Sequence, residues 1–157
     1  MTLAGALSFG AFSLAVHAGI VPQLYFEAQD VACLPWDVYV PASGPGTVIH
    51  HGDIVRFRAR GLAPLFKDGT PMAKMAVGLP GDRISVHEDR VYVNGKYWGS
   101  LAIGLRRLQK PPGYWDRDLT VGKGEIFVLG TEPRSFDSRY WGVIHEDQVD
   151  GTLSVLL

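Results

Sequence analysis

Val91-Tyr92-Val93-Asn94-Gly95-Lys96-Tyr97-Trp98 decides the fold class. Strand-forming residues stand on both sides of an Asn-Gly pair, which fills a two-residue hairpin turn readily because both central positions need a positive φ. The same signal repeats outward from this hairpin. Arg83 to Val86 and Arg90 to Val93 read as strands about His87-Glu88-Asp89. Asp37 to Pro41 and Asp53 to Phe57 alternate or are β-branched, with Gly44-Pro45-Gly46 and His51-Gly52 as turn chemistry between them. Glu125 to Leu129 reads as a buried strand, and Gly151 to Leu157 as one that closes the sheet. Only Ser100 to Gln109 reads as a short helix, ended by Pro111-Pro112-Gly113. The body is mainly β.

The chain has 157 residues with 15 basic and 16 acidic side chains, and none of these charges precedes Glu27. Leu3 to Val21 is apolar apart from Ser8, Ser13 and His17. As a helix it would reach roughly 29 Å, close to the hydrocarbon thickness of a bilayer. Residues 1–26 are therefore expected to form an N-terminal membrane anchor and 27–157 the β domain. Two alternatives stay open. Val16-His17-Ala18 resembles a signal-peptide cleavage site, although no basic n-region precedes it. A buried core helix is the other, though one apolar all round is unusual in so small a body. Orientation cannot be read from flanking charge, because no Lys or Arg occurs before Arg56.

Composition excludes several classes. A net charge of −1 offers no basic field for nucleic acid. Hydrophobic residues at 46% and aromatics at 11% are incompatible with a disordered chain. A single cysteine forms neither an internal disulfide nor a cysteine-based zinc site.

Three features carry chemistry. Lys74 sits in Met72-Ala73-Lys74-Met75-Ala76-Val77-Gly78-Leu79-Pro80, an otherwise apolar run. A buried lysine is driven toward the neutral amine, which is a competent general base. The plainer alternative is a strand-edge lysine that snorkels to water. Cys33, in Val31-Ala32-Cys33-Leu34-Pro35-Trp36, is either a small buried hydrophobe or, beside a base, a nucleophile. The third feature runs from Gly130 to Gly142 and contains Arg134-Ser135-Phe136-Asp137-Ser138-Arg139. It reads as a hydrogen-bonded corner in which Asp137 and Arg139 pair. Metal sites are not expected: His50-His51 with Asp53, and His145-Glu146-Asp147, lack the spacing of a known ligand set. Arg106, Arg107 and Lys110 read as a solvated face, or as a contact with headgroups or a partner.

Lys74 to Asp82, with its Gly78-Leu79-Pro80-Gly81-Asp82, resembles the lysine box of type I signal peptidases, and Ser135 to Gly142 resembles their last signature box. Order and separation agree, and the resemblance spans about Val31 to Val149. Cys33-Leu34-Pro35 and the small size are more similar to the TraF-type peptidases of conjugative transfer systems. The resemblance implies a twisted antiparallel β-sheet or partial barrel behind a transmembrane helix. It implies Cys33 as nucleophile, where most of the family has serine, Lys74 as general base, and Ser135 as the hydroxyl that orients the amine. It also implies that Asp137 and Arg139 form a structural ion pair, and that Gly81 and Asp82 shape the turn after the lysine-bearing strand. Val31 offers no hydroxyl where many relatives supply an oxyanion donor, so the backbone N–H of Cys33 inherits more of that role.

The implied function is a cofactor-free, membrane-anchored endopeptidase of a conjugative transfer system. It would process a pilin or other exported precursor on the periplasmic side of the inner membrane, by hydrolysis or by cyclisation. The rival is a non-catalytic β domain of the same envelope machinery. A self-cleaving repressor is remote, because the leader offers no DNA-binding region.

Overall fold

A computed structural model describes residues 23–26 and 32–156. Its strands are β1 (Tyr25–Phe26), β2 (Val38–Pro41), β3 (Ile54–Arg58), β4 (Pro71–Gly78), β5 (Arg83–His87), β6 (Arg90–Val93), β7 (Lys96–Ser100), β8 (Arg117–Thr120), β9 (Glu125–Leu129), β10 (Ile144–His145) and β11 (Val149–Val155). The helices are α1 (Ala102–Arg107) and α2 (Ser138–Trp141), with a 3₁₀ turn at Glu146–Gln148. One sheet has the order β1-β2-β11-β3-β4-β9-β10, and the other β7-β6-β5-β8. Every pairing is antiparallel.

The expected mainly β architecture is thus observed, with the Asn94-Gly95 turn joining β6 to β7. The short helix is present, trimmed to six residues. The proposed leader helix over 3–21 lies outside the described residues, and so does Val31. Among the described residues no helix is long and apolar enough to cross a membrane. Tyr25–Phe26, grouped with the leader by its lack of charge, instead supplies the edge strand beside β2. β8 escaped the sequence pattern because Arg117-Asp118-Leu119-Thr120 contains a single apolar residue, as an edge strand permits.

Alternation in the strands divides the core. Val55, Phe57, Met72, Ala76, Ile126 and Val128 pack on one face of the larger sheet. Ile54 and Leu153 face the other way, together with Leu34, Tyr39 and the partly buried Met75. Where the two sheets meet, Val77, Ile84, Val86, Phe127 and Leu129 enclose a third cluster, into which α1 inserts Leu105.

The turn between the sheets follows β4. Gly81 adopts φ 98°, which a side chain would strain. Its N–H donates to Val121 O, and the Val121 N–H donates to Asp82 O. The Asp82 carboxylate accepts from Leu79 N–H at 2.7 Å and from the Asn94 amide at 2.7 Å, and lies 2.6 Å from His51 Nε2. Burial pushes this carboxyl up, but the Leu79, Asn94 and His51 hydrogen bonds outweigh it and hold the group below its ordinary range. The folded value lies below the unfolded one of 3.8. The contribution to stability is therefore complete above that value and disappears as pH falls through the folded one. In urea titrations from pH 7 to pH 2, the stability gap between wild type and Asp82→Asn should shrink as pH falls below about pH 4. A gap that does not change with pH would show that the carboxylate adds nothing beyond its shape.

Candidate active site

Lys74 sits in the middle of β4, which is paired on both sides by β3 and β9. It is not the edge lysine of the plainer sequence reading. Its direct partner across the ladder is Val55, while Met72 faces Phe57. Met72, Lys74 and Ala76 share one face because strand side chains alternate, and a one-residue slip would expose Met72 and Ala76 along with the lysine. The apolar neighbours therefore set the register that buries Lys74 to 2% exposure. Among the described residues no carboxylate pairs with it.

Cys33 precedes β2 and is 5% exposed. Its carbonyl accepts from the Glu132 N–H at 3.3 Å, and the Glu132 carbonyl accepts from the Ser135 N–H at 3.0 Å. The first bond ties the loop after β9 to the cysteine segment, and the second closes that loop on itself. Ser135 is 1% exposed, and among the described residues its buried Oγ has no hydrogen-bond partner. An orphaned buried hydroxyl costs about 1–3 kcal/mol, so it marks a position that a ligand or moving group can satisfy.

Asp137 and Arg139 form a two-pronged ion pair with contacts of 2.6 and 2.8 Å. Asp137 Oδ2 also accepts from the Gly130 N–H at 2.8 Å, and Arg139 Nη2 donates to the Gly130 carbonyl at 3.2 Å. Burial would depress the Arg139 guanidinium, but Asp137 overrides it, and with Tyr140 and Cys33 holds it above its ordinary range. Arg117, reaching from β8, donates to the carbonyls of Ser138 and Arg139 at 2.6 and 3.0 Å, and burial draws its guanidinium down. The second sheet therefore braces the box that carries Ser135.

Gly130 is the residue that sequence reading passed over as a loop boundary. The β4–β9 register pairs Met75 with Leu129, and one further step places Gly130 level with Lys74. A Cβ there would overlap Ser135 Oγ and come within 2.5 Å of the Cys33 carbonyl. Only a glycine lets the cysteine segment and Ser135 approach each other across this point. Gly130→Ala should cost about 1–3 kcal/mol of stability, a typical overpacking cost. At a temperature where the variant is still folded, it should lose turnover disproportionately. Thermal unfolding and a turnover assay on one preparation check this, and wild-type turnover would mean the close approach is dispensable.

A cavity of about 320 Å³ brings Cys33, Lys74 and Ser135 together. Leu65, Phe66, Met72 and Phe136 supply apolar walls. The α1 helix contributes Ile103, Gly104, Arg107 and Leu108, which share one face at helical spacing. Gly104 lies against the Tyr140 ring, where a Cβ would overlap the phenol. Burial raises the Tyr140 phenol above its ordinary value, despite the opposing pull of Arg139. Arg107 was read from the sequence as part of a solvated or contact face; that its helix and Tyr140 line the cavity follows from long-range packing. A larger cavity of about 690 Å³, lined by residues of β5 and β8 and by the Asn94-Gly95 turn, contains none of Cys33, Lys74 and Ser135.

Gly81 and Asp82 do not line the site cavity; they hold the turn after its lysine-bearing strand. Among the described residues no group of three or more His, Cys, Asp or Glu side chains is arranged to hold a metal. His51 is paired with Asp82, and Asp147 with Arg60.

A family model described as signal peptidase, peptidase S26, matches residues 26–157. Signal peptidase I V of Bacillus subtilis is 31% identical over 116 residues, covering 68% of this chain and 65% of its own length. Probable signal peptidase I-2 of Synechocystis sp. is 35% identical over 79 residues, covering 50% of this chain and 34% of its own. Signal peptidase IB of Staphylococcus aureus is 32% identical over 95 residues, covering 52% and 50%. The chain thus spans between one third and two thirds of these curated relatives. A crystal structure of a signal peptidase I from Enterococcus faecalis V583 is 33% identical, covers 69% of this chain and 98% of its own, and gives a TM-score of 0.45.

Proposed function

Because this chain belongs to the signal peptidase S26 family, we propose that it is an endopeptidase of exported precursors that runs on a Cys33/Lys74 dyad. One observation carries the reading: a single cavity holds the cysteine together with a buried lysine and a buried serine hydroxyl that have, among the described residues, no carboxylate partner and no hydrogen-bond partner respectively. Cys33 Sγ attacks the scissile carbonyl carbon while Lys74 Nζ takes the thiol proton. The tetrahedral intermediate collapses to a thioester as Lys74 returns that proton to the leaving amine. Water, deprotonated by Lys74, then attacks the thioester. Acid product and the Cys33 thiol are released, and the amine is regenerated. Ser135 Oγ orients the lysine amine, and the Cys33 backbone N–H stabilises the oxyanion. If a substrate amine replaces water, the same thioester yields a cyclised or transpeptidated product.

The proposed setting is a conjugative transfer system, with pilin or another exported precursor as substrate. The reading rests on Cys33-Leu34-Pro35 and the charge-free leader. We further propose that the charge-free leader ahead of β1 anchors the chain in the cytoplasmic membrane and that the β domain, which takes in Tyr25–Phe26, faces the periplasm. An apolar edge supports that placement. Phe26, 65% exposed, lies opposite Val38, and Leu156, 52% exposed, donates its N–H to the Val38 carbonyl. These two apolar side chains flank the strand next to which the leader joins the fold.

Mass spectrometry of a candidate pilin precursor co-expressed with this chain tests the function. Wild type should yield a cleaved or cyclised product, and Cys33→Ala none. Processing that survives Cys33→Ala would assign the cutting to another enzyme and leave this chain as a structural β domain.

A further inference from the structure

Among the described residues, the charged groups lining the active-site cavity are Lys74, Arg107 and Arg134, all cationic. That bias is local, since the whole chain carries a net charge of −1. Arg107 projects from α1 and Arg134 from the loop before Ser135, so two separate segments bring guanidinium groups to one cavity. Both residues are exposed. Arg58 pairs with Asp150, Arg60 with Asp147 and Arg139 with Asp137, and Arg117 donates to backbone carbonyls. Arg83, Arg90 and Arg106 form no ion pair among the described residues but do not line the cavity. Among the described residues neither Arg107 nor Arg134 forms an ion pair, even though Glu132 lies two positions from Arg134.

We propose that Arg107 and Arg134 are specificity-determining residues that select precursors carrying a carboxylate close to the scissile bond. The inference rests on the peptidase reading and adds a substrate class to it. A guanidinium fork matches a carboxylate with two parallel hydrogen bonds, and charge assistance makes such contacts about twice as strong as neutral ones. At the rim both forks stay hydrated while the site is empty, so holding them there carries no desolvation penalty. The apolar walls formed by Leu65, Phe66 and Phe136 exclude water once a peptide is seated, which strengthens the attraction. The same two cations repel a precursor with Lys or Arg at that position, so they select against one class while favouring the other. The carboxylate has two sources in a polypeptide, an Asp or Glu side chain and the C-terminus.

The test uses the full chain and C-terminally amidated peptides in which one Glu is walked through the positions flanking a central alanine, each with its Gln counterpart. A further arm uses the Gln peptides with a free C-terminus. Binding is read by fluorescence anisotropy on Cys33→Ala, and cleavage by mass spectrometry on the chain with Cys33 intact. At one position Glu should bind about tenfold more tightly than Gln, and the ratio should fall to about one in Arg107→Gln/Arg134→Gln. Arg107→Glu/Arg134→Glu should invert the preference toward Lys. A preference confined to free C-termini and lost with the two arginines assigns the carboxylate to the chain end. A ratio of one at every position and every terminus, or a preference unchanged by both double variants, overturns the inference. Absence of cleavage with the binding ratio intact would instead overturn the peptidase reading and leave the anion-selective cavity standing.

Discussion

Lys74→Met should abolish precursor processing while raising the melting temperature of the chain. The two effects have one origin. Lys74 is 2% exposed on a strand face it shares with Met72 and Ala76, opposite Val55, and among the described residues no carboxylate pairs with it. Burying an amine in such surroundings is unfavourable, and an unbranched thioether of similar length fills the same volume without that cost. Nothing in the packing of β4 therefore calls for a lysine, and a fold that retains one sacrifices stability for chemistry. A general base contributes on the order of 10²–10⁴ in rate, and in the proposed dyad the same amine is also the acid for the leaving group, so removing it should disable both half-reactions. In water a thiol near 8.5 transfers its proton readily to an amine near 10.4, which a serine hydroxyl cannot do. Thiol alkylation rate against pH, in wild type and Lys74→Met, would read any coupling between the two groups directly. Cys33→Ser should keep some activity, because the resembled family runs mostly on serine. The dyad is wrong if the two alkylation profiles coincide and Lys74→Met still processes precursor.

Asp137→Ala should be the most destabilising single substitution around the site, by about 3–5 kcal/mol. Asp137 is fully buried and Arg139 nearly so, with 0% and 3% side-chain exposure. Deleting the carboxylate leaves a guanidinium charge inside the protein with its main counter-charge gone. It also strips the Gly130 N–H of its acceptor and the Arg139 N–H of another. In a domain of this size that loss lowers the melting temperature by on the order of 10 °C. Replacing the pair by Leu and Met is no rescue here, because Gly130 would keep a buried N–H and carbonyl with neither side-chain partner. Denaturant unfolding of Asp137→Ala, Arg139→Met and the double variant would separate the charge term from the Gly130 term. If Asp137→Ala unfolds like wild type, the ion pair does not support the box that carries Ser135.

Strand positions were readable because alternation and turn chemistry are local. Asn94-Gly95 and the apolar Glu125–Leu129 run need no knowledge of what they pack against. The residues of the proposed site stood out for a related reason: a lysine inside an apolar run and a serine two positions ahead of Asp-Ser-Arg are conspicuous against their own neighbours. Gly130 was not conspicuous among 19 glycines. Its requirement arises from Cys33, some hundred positions earlier in the chain, meeting Ser135 across it.

Sequence alone thus determined the β class, the hairpin at Asn94-Gly95, the charge-free leader and the family resemblance, since each depends on residues adjacent in the chain. Tertiary structure alone decided that Lys74 is interior rather than on an edge, that Arg107 and Arg134 line the same cavity, and that Asp137 and Arg139 clasp Gly130. Those outcomes follow from strand order, in which β4 lies between β3 and β9 and α1 is carried across the cavity by the smaller sheet. Strand order is set by which faces can be buried together over long separations, and no local pattern encodes it.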